Sequence, residues 1–273
     1  MTVINTNNAA LKAQLASKTA DRKLIESEQR LSSGKRINTG ADDAAGAAVA
    51  LKLDAQMQGQ KAAIKTASDA VSLLKLQEAG VSQFVSIIQR IRELSVQMAN
   101  GTFSNNDRGL AQLEVDALTT QFEMVASGTK FNNKDILYAS SGTTYQIQSG
   151  ANQDENFTIS VIEGATLSTN VTTDADVTSQ SNAQSTMNSM ETHLSTAEAH
   201  LATIGASINR LYVTISNLSA SSVNTEFAVG RISDTDFARE TANLAKQQIL
   251  SNSANKMLVI ANQSENLLTA ILE

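Results

Sequence analysis

His193 and His200 are the only imidazoles in this 273-residue chain. Imidazole is the commonest side chain for proton transfer and metal ligation near neutral pH. Seven residues of helix separate two such rings by roughly 10 Å, too far for one ion to reach both. Asp42 and Asp43 are the other pair of chemically suitable type, since two carboxyls can divide acid–base work between them. Adjacent residues diverge on a helix, however, and acids just ahead of an apolar run favour a helix N-terminus. Cysteine is absent, which removes a thiol nucleophile, a disulfide framework and a thiolate zinc site. No glycine-rich phosphate loop, HExxH or GxSxG segment occurs. Asn156, Asn170 and Asn217 open Asn-x-Ser/Thr triplets, at a frequency chance supplies. The pattern argues against an enzyme, and neither a cofactor nor a metal is expected.

The elements that would position any site are long helices. Alternating strides of four and three lead through Leu53, Met57, Gln60, Ile64, Ala67, Val71, Leu74, Glu78, Val81, Val85 and Ile88, and nine of these eleven are apolar. A shifted track continues through Ile91, Ser95 and Met98. Such a 3.5-residue repeat keeps one helix seam against a partner. The partner runs through Ala183, Met187, Met190, Leu194, Ala197, Leu201, Ile204, Ile208, Leu211, Ile215 and Leu218. Two stripes about a hundred residues apart predict an antiparallel pair. The expected fold is all-α and elongated, a long antiparallel coiled-coil or helical bundle with a small β-hairpin element.

Composition agrees. Proline is absent, and proline breaks helices; aromatics are only 4%, too few for a thick globular core. Net charge is −6, and no lysine or arginine lies between Lys134 and Arg210. Nucleic-acid binding needs clustered cations, so it is disfavoured. No run of eighteen apolar residues occurs, and Met1 to Gln14 lack the basic start and apolar core of a signal peptide, so neither membrane insertion nor cleavage is expected.

In chain order, Asn5 or Thr6 is the expected cap of a first helix with a sparse stripe at Leu11, Leu15, Leu24 and Leu31. Leu31 through Asn38, followed by Thr39 through Gly46, reads as a connector. The long helix from Ala44 is expected to stop at Asn100-Gly101, a left-handed cap signal. Ser104 to Asp107 resembles a capping box opening a shorter helix that ends at Gly128. Its apolar face reads Leu110, Leu113, Ala117, Leu118, Phe122 and Val125. Between about 138 and 178 the period falls to two, with Tyr145 and Ile147, then Phe157, Ile159 and Val161, punctuated by Gly142, Gly150 and Asn152. Thr166 to Ser181 is rich in Ser, Thr, Asn and Asp and reads as a surface loop. The second long helix is expected to reach about Val223. A last helix carries Phe237, Leu244, Ile249, Met257, Ala261, Leu268 and Ile271, opposite a face rich in Asn, Gln and Ser. The expected organisation is 1–40 with 232–273 as one terminal-helix domain and 44–230 as a second, helical domain bearing the hairpin.

Several blocks resemble bacterial flagellin. They are Ile4-Asn5-Thr6-Asn7; Gln29 through Asn38 with Ala41 through Gly46; Gln89 through Thr102; and Arg231 through Glu240 with Asn252 to Met257 and Ala261-Asn262-Gln263. The likeness covers roughly residues 1–138 and 180–273. It departs from the family at Ser264-Glu265-Asn266, where a proline is common, and in the short segment 140–178, so it resembles a minimal form with two core domains. The resemblance implies a self-assembling subunit of the extracellular flagellar filament, serving motility. It implies export unfolded through the flagellar type III apparatus from the cytoplasm, with an export chaperone, a filament cap protein and the hook–filament junction protein as further partners. The terminal helices would form an inner tube and the long helices an outer one. It also implies recognition by the host flagellin-sensing Toll-like receptor through Arg90, Leu94 and Glu114. Two alternatives stand beside this reading: the hook–filament junction protein itself, and a cytosolic coiled-coil adaptor.

Overall fold

The computed structural model describes residues 6–138, 143–150, 152–162 and 164–272, with side chains through Ser264. Among these, six helices and four short strands occur in the order α1 (Asn8–Ser33), α2 (Ala44–Met98), α3 (Asn105–Gly128), β1 (Lys130–Phe131), β2 (Lys134–Asp135), β3 (Thr144–Gln148), β4 (Asn156–Ser160), α4 (Gly164–Asp174), α5 (Gln180–Ser233) and α6 (Phe237–Leu272). Two compact units divide the chain, Met1–Met57 with Val223–Glu273, and Gln58–Ser222. The division falls inside α2 and α5, so each long helix contributes to both.

In the 58–222 unit the four-three stripes are the core. Gln60, Ala67, Val71, Leu74, Val81 and Ile88 of α2 are buried, as are Ala183, Met190, Ala197, Ile204, Ile208 and Leu211 of α5. Gln60 Nε2 donates to Ser221 Oγ at 2.8 Å, while Arg92 meets Glu191 at 2.9 Å. Partner numbers fall as α2 numbers rise, so the two helices are antiparallel. The buried face of α2 is wider than a two-helix seam and includes Ala70, Leu73, Gln77 and Phe84. Phe84 stacks on Phe122 of α3 with ring centroids 4.0 Å apart. Gln77 Nε2 donates to the carbonyls of Ile136 (3.2 Å) and Ser160 (3.4 Å), tying the hairpin region to the same face.

The expected hairpin is β3–β4, antiparallel, with Tyr145 opposite Ile159 and Ile147 opposite Phe157. Gly142, read as one of its punctuating residues, lies outside the described residues. A shorter hairpin, β1–β2, turns through Asn132 and Asn133, both with positive φ (48° and 63°). Asparagine tolerates this left-handed region better than most residues, and adjacent asparagines were the available signal.

Several expectations are corrected. Residues 164–174 form helix α4 rather than a loop. Gly164, Leu167, Ser168 and Val171 share its buried face, and the hydroxyls of Thr169, Thr172 and Thr173 donate back to carbonyls four residues earlier at 2.7–3.0 Å. Thus its polar composition is absorbed by the helix itself. Helix α5 runs ten residues past Val223, because nothing breaks it before Asp234. Helix α1 is capped by Asn7, whose Oδ1 accepts from the Ala10 N–H at 2.8 Å, not by Thr6; Asn5 lies outside the described residues. Gly101 has no positive φ, and the end of α2 is closed from elsewhere. The buried guanidinium of Arg108 donates to Met98 O and Asn100 O, both at 2.9 Å. On α3, Leu110, Leu113 and Ala117 are exposed, and its buried side is Arg108, Val115, Thr119, Phe122 and Ala126.

The capping box is present: Ser104 and Asp107 each accept from the other's backbone N–H. The Ser104 hydroxyl and N–H hold the Asp107 carboxyl below the ordinary carboxylate range. At Asp176 the hydroxyl and N–H of Thr178 do the same. A carboxyl depressed in the folded state contributes stability above its unfolded pKa, and that stability is lost as pH falls through the lower folded value. Melting temperatures followed from about pH 5 to about pH 2 are therefore expected to fall, and Asp107→Asn should flatten part of that acid limb. An unchanged slope in the variant would remove the cap from the account.

Candidate self-association surfaces

Small residues, not leucines, bring α1 and α6 together. The buried positions of α1 are Ser17, Ala20 and Ser27, and those of α6 include Glu240, Ala254 and Ala261. Short side chains let two helix backbones approach closely, and polar ones can bond across the gap. Ser17 Oγ donates to Asn255 Oδ1 at 2.9 Å, Ser251 Oγ to Asp21 Oδ1 at 2.6 Å, and Asn7 Nδ2 to the Ala261 carbonyl at 3.0 Å. The connector closes the same unit. Arg36 N–H donates to Ser233 O at 2.6 Å, and Thr235 N–H to Gly34 O at 3.0 Å. Gly34 sits at φ 71°, the left-handed cap of α1.

The larger apolar side chains are displaced outward by this arrangement. Leu11 is 54% and Leu15 64% exposed; Leu24 and Leu31 are half-buried. On α6, Phe237 and Met257 are each 62% exposed, Leu244 is half-buried, and Ile249, Val259 and Ile260 are also open. The side chains of Leu268 and Ile271 lie outside the described residues. The sequence stripe thus located apolar residues that the single chain leaves in water. The true seam escaped because Ser17, Ala20 and Ser27 carry no hydrophobic signal, although their three- and seven-residue spacings have a helical period. Apolar rows of this extent on a helix pair mark a surface meant to be covered.

Asp42 and Asp43 serve the connector. Asp42 Oδ2 accepts from the Thr39 N–H (2.8 Å), the Asn38 N–H (3.1 Å) and the Thr39 hydroxyl (3.0 Å), and the Thr39 amide is the leading cause that holds this carboxyl low. Asp43 Oδ1 accepts from the Gly46 N–H at 2.9 Å, capping α2.

Arg90, Leu94 and Glu114 do not form one open patch. Arg90 pairs with Glu114 at 2.7 Å and with Glu93 at 3.1 Å, all at half-exposed positions. Leu94 is buried, 4% exposed. The histidines are not brought together either: His193 is buried and its Nε2 lies 2.9 Å from Asp174 Oδ2 at the end of α4, which fixes α4 against α5. Among the described residues, no group of three His, Cys, Asp or Glu stands close enough to hold a metal ion, and no helix is long and apolar enough to cross a membrane.

Comparison with known proteins bears on these surfaces. The family model of the bacterial flagellin N-terminal helical region matches residues 4–142, and that of the C-terminal helical region matches residues 187–272. A flagellin of Halalkalibacterium halodurans is 33% identical over 89% of this chain and 90% of its own length. A Listeria innocua flagellin is 31% identical over 98% and 99%, and a flagellar filament core protein of Brachyspira hyodysenteriae is 32% identical over 95% and 96%. Among solved structures, Bacillus cereus flagellin superposes with a TM-score of 0.52 at 25% identity, covering 56% of this chain and 88% of that one.

Proposed function

The chain belongs to the flagellin family, and from that premise we propose how its two ends and its export serve the filament. As a family member it is a structural subunit of the extracellular flagellar filament, assembling with copies of itself. In our reading α1 and α6 line the inner tube, and residues 44–230 build the outer one. The observation that carries this is the pair of exposed apolar rows on helices whose own seam is small and polar: Leu11 and Leu15 on one, Phe237, Ile249 and Met257 on the other. A lone chain leaves them hydrated, whereas stacked copies bury them at about 25 cal/mol per Å². The amide-rich side of α6, with Asn243, Gln248 and Asn252 exposed, then faces the wet central channel.

The subunit leaves the cytoplasm unfolded through the flagellar type III apparatus. Before export an export chaperone shields α6, the cap protein guides insertion, and the junction protein supplies the first ring of contacts. Ammonium sulfate added to purified chain tests the central claim: long filaments are expected in negative stain, and a chain that stays monomeric at every salt concentration overturns it. Short or absent polymers that nevertheless join hook to filament would instead mark a junction protein.

Recognition by the flagellin-sensing Toll-like receptor is also part of the proposal. With Leu94 packed inward, the receptor would meet Arg90 and Glu114 as a joined ion pair. Arg90→Asp breaks that pair and places like charges together, so receptor-bearing reporter cells should need at least about tenfold more monomer. An unchanged dose response would remove Arg90 from the contact.

A further inference from the structure

The elbow between α2 and α3 holds a chemically reactive pair of residues. Asn100-Gly101 is the only Asn-Gly pair in the sequence. Both residues are exposed, between the end of α2 at Met98 and the start of α3 at Asn105. The Asn100 side chain is folded forward over Gly101, because its Oδ1 accepts from the Thr102 N–H at 3.2 Å. That bond holds the side-chain amide against the residues that follow it and draws electron density from its carbonyl. Glycine presents no Cβ to hinder approach of its nitrogen. We propose that Asn100 is a site of spontaneous deamidation, an intrinsic covalent modification that adds one negative charge to the elbow.

The step needs only water. The Gly101 nitrogen forms a bond to Asn100 Cγ, the Cγ–Nδ2 bond breaks, and ammonia leaves with the proton the Gly101 amide gives up. The five-membered succinimide is then hydrolysed at either carbonyl, giving aspartate or isoaspartate at position 100. The two products differ in consequence. Aspartate keeps the acceptor for Thr102 and leaves the main chain unchanged. Isoaspartate reroutes the main chain through Cβ and Cγ and turns the former Asn100 carbonyl, which accepts from the Arg108 guanidinium at 2.9 Å, into a free carboxylate. That product alters the clasp which closes the end of α2, since the acceptor of Arg108 becomes a charged carboxylate that no longer lies on the main chain.

Full-length chain aged in warm, mildly alkaline buffer and cut with trypsin tests this. The fragment from Glu93 to Arg108 also contains Asn105 and Asn106, which open α3 and serve as internal controls. A mass gain of about 1 Da is expected at Asn100, at least about tenfold faster than at Asn105 or Asn106, with isoaspartate among the products. Gly101→Ala is expected to slow it by about tenfold or more. This variant folds: φ at Gly101 is not positive, and an added Cβ meets Gln180 Nε2 only at 3.7 Å, an ordinary contact. Equal rates at Asn100 and Asn105, or no slowing in Gly101→Ala, would overturn the proposal.

Discussion

A chain lacking residues 1–40, or one lacking residues 235–273, is expected to form no filaments at any salt concentration while remaining folded and soluble. Each deletion removes one helix of the α1–α6 pair and leaves the other without the bonds at Asn7, Ser17 and Asp21. An isolated helix carrying so much exposed apolar surface and so thin a seam has little to hold it. The 58–222 unit loses nothing, because its core of Phe84, Ile88, Phe122, Met190 and Leu211 contains no terminal residue. Circular dichroism should therefore still report a cooperative helical melt. Point variants sharpen the test. Leu15→Asp and Met257→Asp change residues that face water, so the lone chain should keep its stability within about 0.5 kcal/mol. In an assembly that covers those rows, each new carboxylate must be buried, which costs about 2 kcal/mol or more. The concentration needed to polymerise should then rise by at least about 30-fold. Wild-type polymerisation by either deletion, or by both point variants, would leave the exposed rows without a role.

How much of this could be read from residues alone follows from which forces leave a periodic trace. The seams of α2 and α5 were legible because burial along two helices follows a 3.5-residue repeat over eleven positions each, broken in α2 where Glu78 is exposed and Gln77 is buried instead. The β3–β4 hairpin was legible through the alternation around Tyr145 and Phe157. Helix α4 was not, since its Ser and Thr content outweighed the four-residue step from Leu167 to Val171. The clasp of Arg108 was invisible for a different reason. A charged residue has no hydrophobic signature, and its acceptors at Met98 and Asn100 lie eight to ten residues back. At the candidate interface the apolar residues Leu11 and Leu15, read as assembly positions, are exposed on the single chain. The α1–α6 seam itself left no such trace, since Ser17 and Ala20 make it. Of the carried-over trio, Arg90 and Glu114 are joined as an ion pair on the surface, and position alone could not show that Leu94 points into the core.

Gly164→Ala is expected to be the most damaging single methyl group that can be added to the 58–222 unit. Glycine is needed there for space: an ideal Cβ at Gly164 would stand 1.9 Å from the Leu137 carbonyl oxygen and 3.0 Å from its carbonyl carbon. Those are backbone atoms in a buried segment, Ile136-Leu137, whose position is fixed by the Gln77 amide donating to Ile136 O. The conflict is relieved only by moving α4 off the core or by pulling residues 136–137 away from α2. Either route opens the packing around Phe84, which lies 3.7 Å from the same point. Overpacking in well-filled cores costs about 1–3 kcal/mol, and a main-chain collision belongs at or above the top of that range. Gly80→Ala is the natural contrast. Its Cβ would meet the same residue at Leu137 Cδ1, 2.2 Å away, but a leucine methyl can rotate where a carbonyl cannot. Its cost should sit nearer the lower end, about 1 kcal/mol. Urea melts of the two variants should therefore rank Gly164→Ala well below Gly80→Ala, with protection of the α4 amides from hydrogen exchange lost first in the former. Equal midpoints, or the reverse order, would mean that the close approach of Leu137 to the start of α4 is not what holds this end of the unit together.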